Sequence, residues 1–176
     1  MVETNWAGNL TYRAVEVREP GSLGELSDIV ARTPGVRALG SRHSFSPIAD
    51  TDGTLVSLAR MPHEIEVDTD AVTAPVSAGL RHGDLVPALD AAGFALANLA
   101  SLPHISVAGA VQTGTHGSGD RIGSLATQVL GVEMVTADGE VVSLRRGDPE
   151  FDGAVVGLGA LGVVTHHHGP LFSVAT

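Results

Sequence analysis

The sequence predicts an α+β fold of two lobes that meet near residues 55–65 and share one globular unit. Short apolar strands alternate with short amphipathic helices, and an Asp-Gly turn joins two alternating segments in the second half. With 176 residues, 43% of them hydrophobic, the chain is long enough to bury a core. We predict a first lobe over residues 1–58, a second over 59–165 and a tail over 166–176.

The first lobe is predicted as a strand–helix–strand unit. Residues 12–17 favour a strand, and Ser22 follows as a helix N-cap. Glu25 stands three residues further on, which completes a capping box and predicts an amphipathic helix over about 23–33. The next strand, over 36–39, runs directly into a loop of small polar residues.

The second lobe is predicted to contain most of the strands. Asp138-Gly139 between two alternating segments indicates a β-hairpin, and Gly93 closes a predicted helix. Residues 99–119 show no clean period. The predicted strands are 55–58, 65–67, 72–78, 129–136, 140–144 and 161–165, and the predicted helices are 84–92 and 151–158.

Composition and charge exclude several classes of function. The net charge is −10, and the ten basic residues are arginines that cluster nowhere beyond Arg145-Arg146, so a phosphate-backbone interface is not expected. The chain has no cysteine, which excludes disulfides and thiolate metal sites. No export signal or apolar run of membrane length is present, so we expect a cytoplasmic protein that contacts neither nucleic acid nor membrane.

Gly40-Ser41-Arg42-His43-Ser44 is the first segment whose composition indicates a binding site. A strand that ends in small residues exposes successive backbone N–H groups, and such a nest binds a pyrophosphate without needing a cluster of cations. The alternative is an ordinary surface loop with one solvated histidine.

Ala100–Gly119 is the second such segment. Small side chains let a flat ligand lie against the main chain, and hydroxyl groups supply adaptable hydrogen bonds. His104 and His116 lack partners at metal-ligand spacing and are weak zinc candidates. The alternative is a glycine-rich core loop without a ligand. The small residues are Ala108, Gly109, Ala110, Gly114 and Gly117, and the hydroxyls are those of Ser101, Ser106, Thr113 and Thr115.

With Asn5–Asn9 and Gly159–Thr165, these two segments make the chain resemble the sugar-alcohol (alditol or xylitol) oxidases of the vanillyl-alcohol oxidase family. The resemblance runs in register from about residue 5 to residue 165. It implies a PCMH-type FAD-binding domain of two α+β lobes with FAD as cofactor. In that family the histidine of the first loop is bonded to the flavin 8α carbon, and by position it is His43.

The resemblance also implies which residues surround the cofactor. The first loop cradles the pyrophosphate, the second segment lines the isoalloxazine and ribityl chain, and the strand from Gly162 to Val164 lies near the adenine end. The implied cofactor-binding residues are Leu39, Gly40, Ser41, Arg42, His43, Ser44, Ser101, Ser106, Gly109, Gly114, Thr115, His116, Gly117 and Val164.

The chain departs from the family at two places. Arg42 stands where many relatives have glycine, so a positive φ there would add strain. Family members are more than twice as long, and we expect the substrate-binding half to be largely absent. The segment 166–176 resembles the C-terminus of relatives, with Pro170 in place of a lysine. It is either that C-terminus rejoined to this domain or a cloning scar, and metal binding by His166–His168 is a third reading.

Three functions are compatible with these observations. The first is an FAD-binding domain, flavinylated at His43, from an oxidase that converts an alditol to an aldose and reduces O2 to H2O2. The second is a complete small alditol oxidase with a polyol substrate, for which His104 and His116 are candidate bases. The third is a non-catalytic module that retains only the fold. We favour the first and assign no catalytic residue.

Overall fold

The computed structural model describes residues 4–63, 65–170 and 172–173. It contains two sheets, a two-stranded ladder and four α-helices within these residues, which confirms the predicted α+β class. Among the described residues, no helix is long and apolar enough to cross a membrane.

A three-stranded parallel sheet forms the first half of the fold. Strand β1 (Glu16–Arg18) leads through helix α1 (Leu23–Arg32) to strand β2 (Val36–Ala38), and β3 (Thr54–Val56) lies between the two strands. The β1 strand is shorter than predicted because the preceding segment bonds to the loop before β3, where Val15 N–H donates to the Gly53 carbonyl.

Helix α1 begins as its capping signal predicts. The Glu25 N–H donates to Ser22 Oγ at 3.2 Å, and the Glu25 carboxylate accepts from the Gly21 N–H at 2.9 Å. Leu26, Ile29 and Val30 form the buried face of the helix. These bonds fix the start of α1, and the helical spacing of its apolar residues sets the face that packs on the core.

A four-stranded antiparallel sheet forms the second half. Its strands are β4 (Thr73–Ser77), β6 (Gly131–Val135), β7 (Val141–Arg145) and β8 (Val163–Pro170). They lie side by side in the order β4-β8-β6-β7. The predicted Asp-Gly hairpin joins β6 to β7. Gly139 is required there, because its φ is +83° and a Cβ atom would lie 2.8 Å from the Ala31 Cβ of α1.

Short elements surround this sheet. Strand β5 (Phe94–Ala95) pairs with β9 (Phe172–Ser173), and Pro47–Ala49 and Leu125–Gln128 are single 3-10 turns. The other helices are α2 (His82–Ala91), α3 (Val107–Gln112) and α4 (Phe151–Ala154).

One core joins the two sheets, since α1 packs against β6 in a cluster that includes Val56, Val132 and Phe151. The division into lobes at residues 58 and 59 stays a prediction.

Other predictions also differ from the structure, and the helix predicted over 151–158 ends at Ala154. Residues 65–67 make a single bridge, from Ile65 to Val76, because only that residue lies opposite β4. The segment 99–119 contains the unpredicted helix α3. Strand β8 runs through the boundary drawn at residue 165, because β4 and β6 supply main-chain partners on both sides. Residues 171 and 174–176 of the predicted tail lie outside the described residues.

Candidate cofactor site

A cavity of about 700 Å³ opens where the two predicted binding segments face each other. Cofactor and ligand sites in proteins enclose about 300–1,000 Å³, so this cavity is large enough for a dinucleotide. Its wall is built from the ends of β2, β3 and β4, from α3, from the N-terminal segment and from residues 158–164.

The parallel strands β2 and β3 supply the first wall. Leu39 N–H donates to the Val56 carbonyl at 2.7 Å, and beyond this bond the chain leaves the sheet at Gly40. Because parallel strands end at the same edge of a sheet, the loop 39–44 and the residues 57–59 after β3 line the cavity side by side.

The two binding segments cross at Ser41 and Ser106. The Ser106 N–H donates to Ser41 Oγ at 3.2 Å, and the Ser41 N–H approaches Ser106 Oγ at 3.4 Å. A Cβ atom on either Gly40 or Gly109 would lie 2.7 Å from the same Ser106 Oγ. The glycines are therefore needed for the backbones to approach each other at the cavity wall.

Gln112, a buried residue at the end of α3, holds a further part of the wall. Its Nε2 donates to the carbonyls of Ala154 and Val155, and its Oε1 accepts from the Gly157 N–H at 3.1 Å. The last of these bonds is at Gly157, directly before Leu158, whose φ is 55°. One amide side chain thus fixes a loop whose backbone is strained.

The rings of Trp6, His43 and His104 pack together beside the first binding segment. The Trp6 and His43 ring centroids are 4.6 Å apart, and His43 and His104 are 5.3 Å apart. Among the described residues, His43 Nδ1 and His104 Nε2 are both buried without a hydrogen-bond partner. Buried polar atoms are rarely left unpaired, and these two belong to residues that line the cavity.

The charges on the cavity wall oppose the charge of the chain. Arg37, Arg42 and Arg81 line the cavity with one acid, Glu19, whereas the whole chain carries −10. Arg37 is held in place, since its guanidinium donates to the carbonyls of Ile48 and Gly159. The cavity is a locally positive site on an acidic protein, which favours an anionic ligand.

Ten predicted site residues line this cavity, and Arg42 has a φ of 60°, the positive value that glycine would accept without strain. The ten are Leu39, Gly40, Ser41, Arg42, His43, Ser44, Ser106, Gly109, Thr115 and Val164.

The other four lie outside its wall. Ser101, His116 and Gly117 are exposed, and Gly114 ends α3 with a φ of +67°. His116 Nδ1 approaches the carbonyl of Gly117 at 2.9 Å instead of facing the cavity. A cofactor role for any of the fourteen stays a prediction.

Sequence reasoning missed part of the wall. Ser57 and Gly79 follow strands that end at the cavity, and the rule that parallel strands share a carboxyl edge would have found Ser57. Trp6 was noted only as part of a motif. No local signal identifies Arg37 or Gln112 as wall residues. Among the described residues, no group of three histidines, aspartates or glutamates could hold a metal ion.

The residues present fit FAD. The cavity has the required volume, and its arginines suit a pyrophosphate. His43 lies on its wall.

Comparison with known proteins agrees with this fit. The family model described as FAD binding domain matches residues 16–145. Alditol oxidase of a Streptomyces species (strain IKD472 / FERM P-14339) is 54% identical over 165 residues, which are 92% of this chain and 40% of that protein.

Lactone-oxidising enzymes are also similar. L-gulono-1,4-lactone dehydrogenase of Mycobacterium tuberculosis (strain CDC 1551 / Oshkosh) is 36% identical over 97% of this chain and 41% of its own length. L-gulonolactone oxidase of Mus musculus is 35% identical over 91% of this chain and 38% of its own length. The chain thus spans about two fifths of these curated relatives, and it belongs to the FAD binding domain family, with FAD as its cofactor.

Proposed function

We propose that this chain holds FAD in the 700 Å³ cavity, linked covalently to His43, as the FAD-binding part of an oxidase of sugar alcohols. The observation that carries the proposal is the position of His43, which lines the cavity in the loop that follows β2. A sugar alcohol is preferred to a lactone because identity to the alditol oxidase is 54%, against 36% for the lactone dehydrogenase.

The chain's own residues would hold the cofactor mainly through the main chain. Gly40 and Gly109 leave room for Ser106 where the two segments cross, and the loop that follows β2 would present N–H groups to the pyrophosphate. Arg42 and Arg81 add positive charge, so the net charge of −10 is no obstacle.

FAD, when bound, supplies the redox chemistry of such an oxidase by accepting a hydride from a carbinol and passing the electrons to O2. The chain's contribution is to bind and orient the cofactor, and the half-buried His104 packs beside His43 at that edge of the cavity.

The proposed link is a bond between a ring nitrogen of His43 and the 8α carbon of the flavin. One N–H and one C–H bond are lost as the N–C bond forms, and the two hydrogens leave with two electrons that O2 accepts as H2O2. The attacking nitrogen must be unprotonated. His43 is therefore the anchor, and alanine at this position removes the only group that forms the bond.

The test is to purify wild type and His43→Ala, saturate both with FAD, and measure flavin before and after acid denaturation together with the intact mass. We expect flavin retained by the wild type and released by the variant. His63→Ala, at an exposed histidine outside the cavity wall, is the control and should behave as wild type. Wild type that binds FAD but shows the apo mass would contradict the covalent link, and wild type that binds no FAD would contradict the whole proposal.

A further inference from the structure

The N-terminal segment 5–10 carries a motif that the proposed function leaves unused, and it clamps the loop around His43. The Trp6 N–H donates to the Arg42 carbonyl at 2.8 Å. The Asn5 Nδ2 donates to the Ser44 carbonyl at 2.9 Å. These carbonyls belong to the residues immediately before and after His43, so the segment holds the backbone on both sides of it.

The clamp is itself rigid. Asn5 is 3% exposed, and its Oδ1 accepts from the Leu10 N–H while its Nδ2 also donates to Asn9 Oδ1. The Gly8 N–H donates to the Asn5 carbonyl, and the φ of +70° at Gly8 closes the turn. A side chain with this many satisfied bonds fixes the position of the residue that follows it, Trp6.

Trp6 also fixes the His43 ring. The indole meets the imidazole edge-to-face, with centroids 4.6 Å apart and planes at 71°. The indole also stacks on the His104 ring, with centroids 5.7 Å apart and planes at 24°. Since the two histidines are themselves 5.3 Å apart at 86°, the three rings restrict one another.

The exposure of Trp6 indicates a role other than folding. It is 57% exposed and lines the cavity, so it contributes little to the buried core. Trp6 is held at the cavity by one backbone hydrogen bond and two ring contacts, so its indole has a fixed position beside the His43 imidazole.

We propose that Trp6 is a positioning residue for flavin attachment: with Asn5, it holds the His43 imidazole in the orientation from which the N–C bond forms. This inference rests on the proposed role of His43, and the bond and its electrons are those described above. Attachment requires the nitrogen to meet the 8α carbon along one direction, and a free imidazole rotates about two side-chain torsions.

The experiment follows attachment in chain produced without flavin, after saturating FAD is added. Bound FAD and covalent FAD are measured separately for wild type, Trp6→Leu and Trp6→Phe. We expect Trp6→Leu to slow the attachment of bound FAD about tenfold or more, a larger effect than any loss of FAD binding, since a 1 Å misplacement can cost about 10²-fold. Trp6→Phe, which keeps a smaller ring beside His43, should attach FAD at a rate between those of wild type and Trp6→Leu.

Phe45→Leu is the matched control. It removes another exposed aromatic ring beside His43, whose centroid is 5.8 Å away, and it should attach FAD at the wild-type rate. Attachment by Trp6→Leu at the wild-type rate would overturn the inference and leave the role of His43 intact. Equal losses of FAD binding and of attachment would also overturn it, because Trp6 would then hold the cofactor. No attachment in wild type would overturn the role of His43, and the inference with it.

If Trp6→Leu does not fold, Trp6→Phe alone tests the inference, and circular dichroism verifies that this variant is folded. An intermediate attachment rate at full FAD binding supports the inference, and an unchanged rate overturns it. Because Trp6 is the only tryptophan in the chain, quenching of its fluorescence measures FAD binding to the wild type independently.

Discussion

Single residues at the cavity accept backbone geometry that side chains normally avoid. Of the residues that the structure describes, three that are not glycine have positive φ, namely Arg42, Val72 and Leu158, and two of them, Arg42 and Leu158, line the cavity. Strain of this kind costs on the order of 1–3 kcal/mol per residue and persists where the surrounding structure imposes it. The concentration at the cavity is consistent with a site selected for binding at some expense of stability.

The crossing of the two binding segments gives a prediction at this scale. We expect Gly40→Ala to lower the free energy of unfolding by about 1–3 kcal/mol, because the new Cβ would lie 2.7 Å from Ser106 Oγ. In Gly40→Ala/Ser106→Ala the clashing oxygen is gone, so the loss should be smaller than the sum of the two single losses. Urea unfolding of the four proteins measures this coupling.

Gly24→Ala is the control for this cycle. Gly24 lies inside α1 with no atom near its missing Cβ, so alanine should stabilise the protein by about 0.5–1 kcal/mol. Additive losses at Gly40 and Ser106 would mean that the two segments do not press on each other.

Among the elements, β8 has an unusual central residue. His167 is 3% exposed and lies between Val76 of β4 and Val132 of β6, and neither ring nitrogen has a hydrogen-bond partner within the described part of the chain. Burial lowers the pKa of His167 to about 4, with smaller contributions from His168 and His166. The strand therefore folds with this imidazole neutral.

This burial predicts a pH dependence of stability. The folded pKa of about 4 lies below the ordinary value of 6.5, so the unfolded chain takes up a proton first. The contribution of neutral His167 to the free energy of unfolding is complete above pH 6.5. It is lost as the pH drops towards 4, and this loss amounts to about 3 kcal/mol. His82 and His168, whose pKa values are also lowered by burial, add to the loss in the same direction.

Urea unfolding between pH 7 and pH 4 checks this prediction with His167→Leu, which removes the proton site. The variant should lose distinctly less stability over this range than wild type. The exposed His63→Leu should keep the wild-type dependence. Equal pH dependence in wild type and His167→Leu would show that His167 is not the group that titrates.

At the scale of the whole molecule, the size of the cavity and the share of the relatives' length that the chain covers bear on whether residues 1–176 can turn over a substrate by themselves. The chain spans about two fifths of the alditol oxidase that it resembles, and Ser101, one of the predicted cofactor-binding residues, lies exposed outside the cavity wall. A cavity of about 700 Å³ that holds FAD leaves little enclosed space for a polyol beside it.

We therefore expect residues 1–176 alone to show little or no turnover of xylitol or sorbitol, although chemically reduced, protein-bound FAD should still react with oxygen. Hydride transfer needs the substrate carbon within about 3–3.5 Å and a base on its hydroxyl, and lost orientation forfeits about 7–11 kcal/mol. Peroxide release is the measurement, with a full-length alditol oxidase as the control. A rate approaching that of the control would mean that these residues contain a complete active site.

The sequence by itself determined the features that depend on neighbouring residues. The capping box of Ser22 and Glu25, the Asp138-Gly139 turn and the loop that follows β2 were all predictable, because each is decided within a few residues by local hydrogen bonds and allowed torsions. The family, and FAD with it, was recognisable from the residues of two segments and a closing strand.

Only the tertiary structure decided which of these residues share a site. It placed Gly40 against Ser106 and Trp6 against His43, and it left Ser101 and His116 on the surface although they lie in the same segment as Ser106. It also extended β8 and buried His167 within it. Such contacts join residues tens of positions apart, and they are set by sheet register and core packing, which local periodicity does not encode.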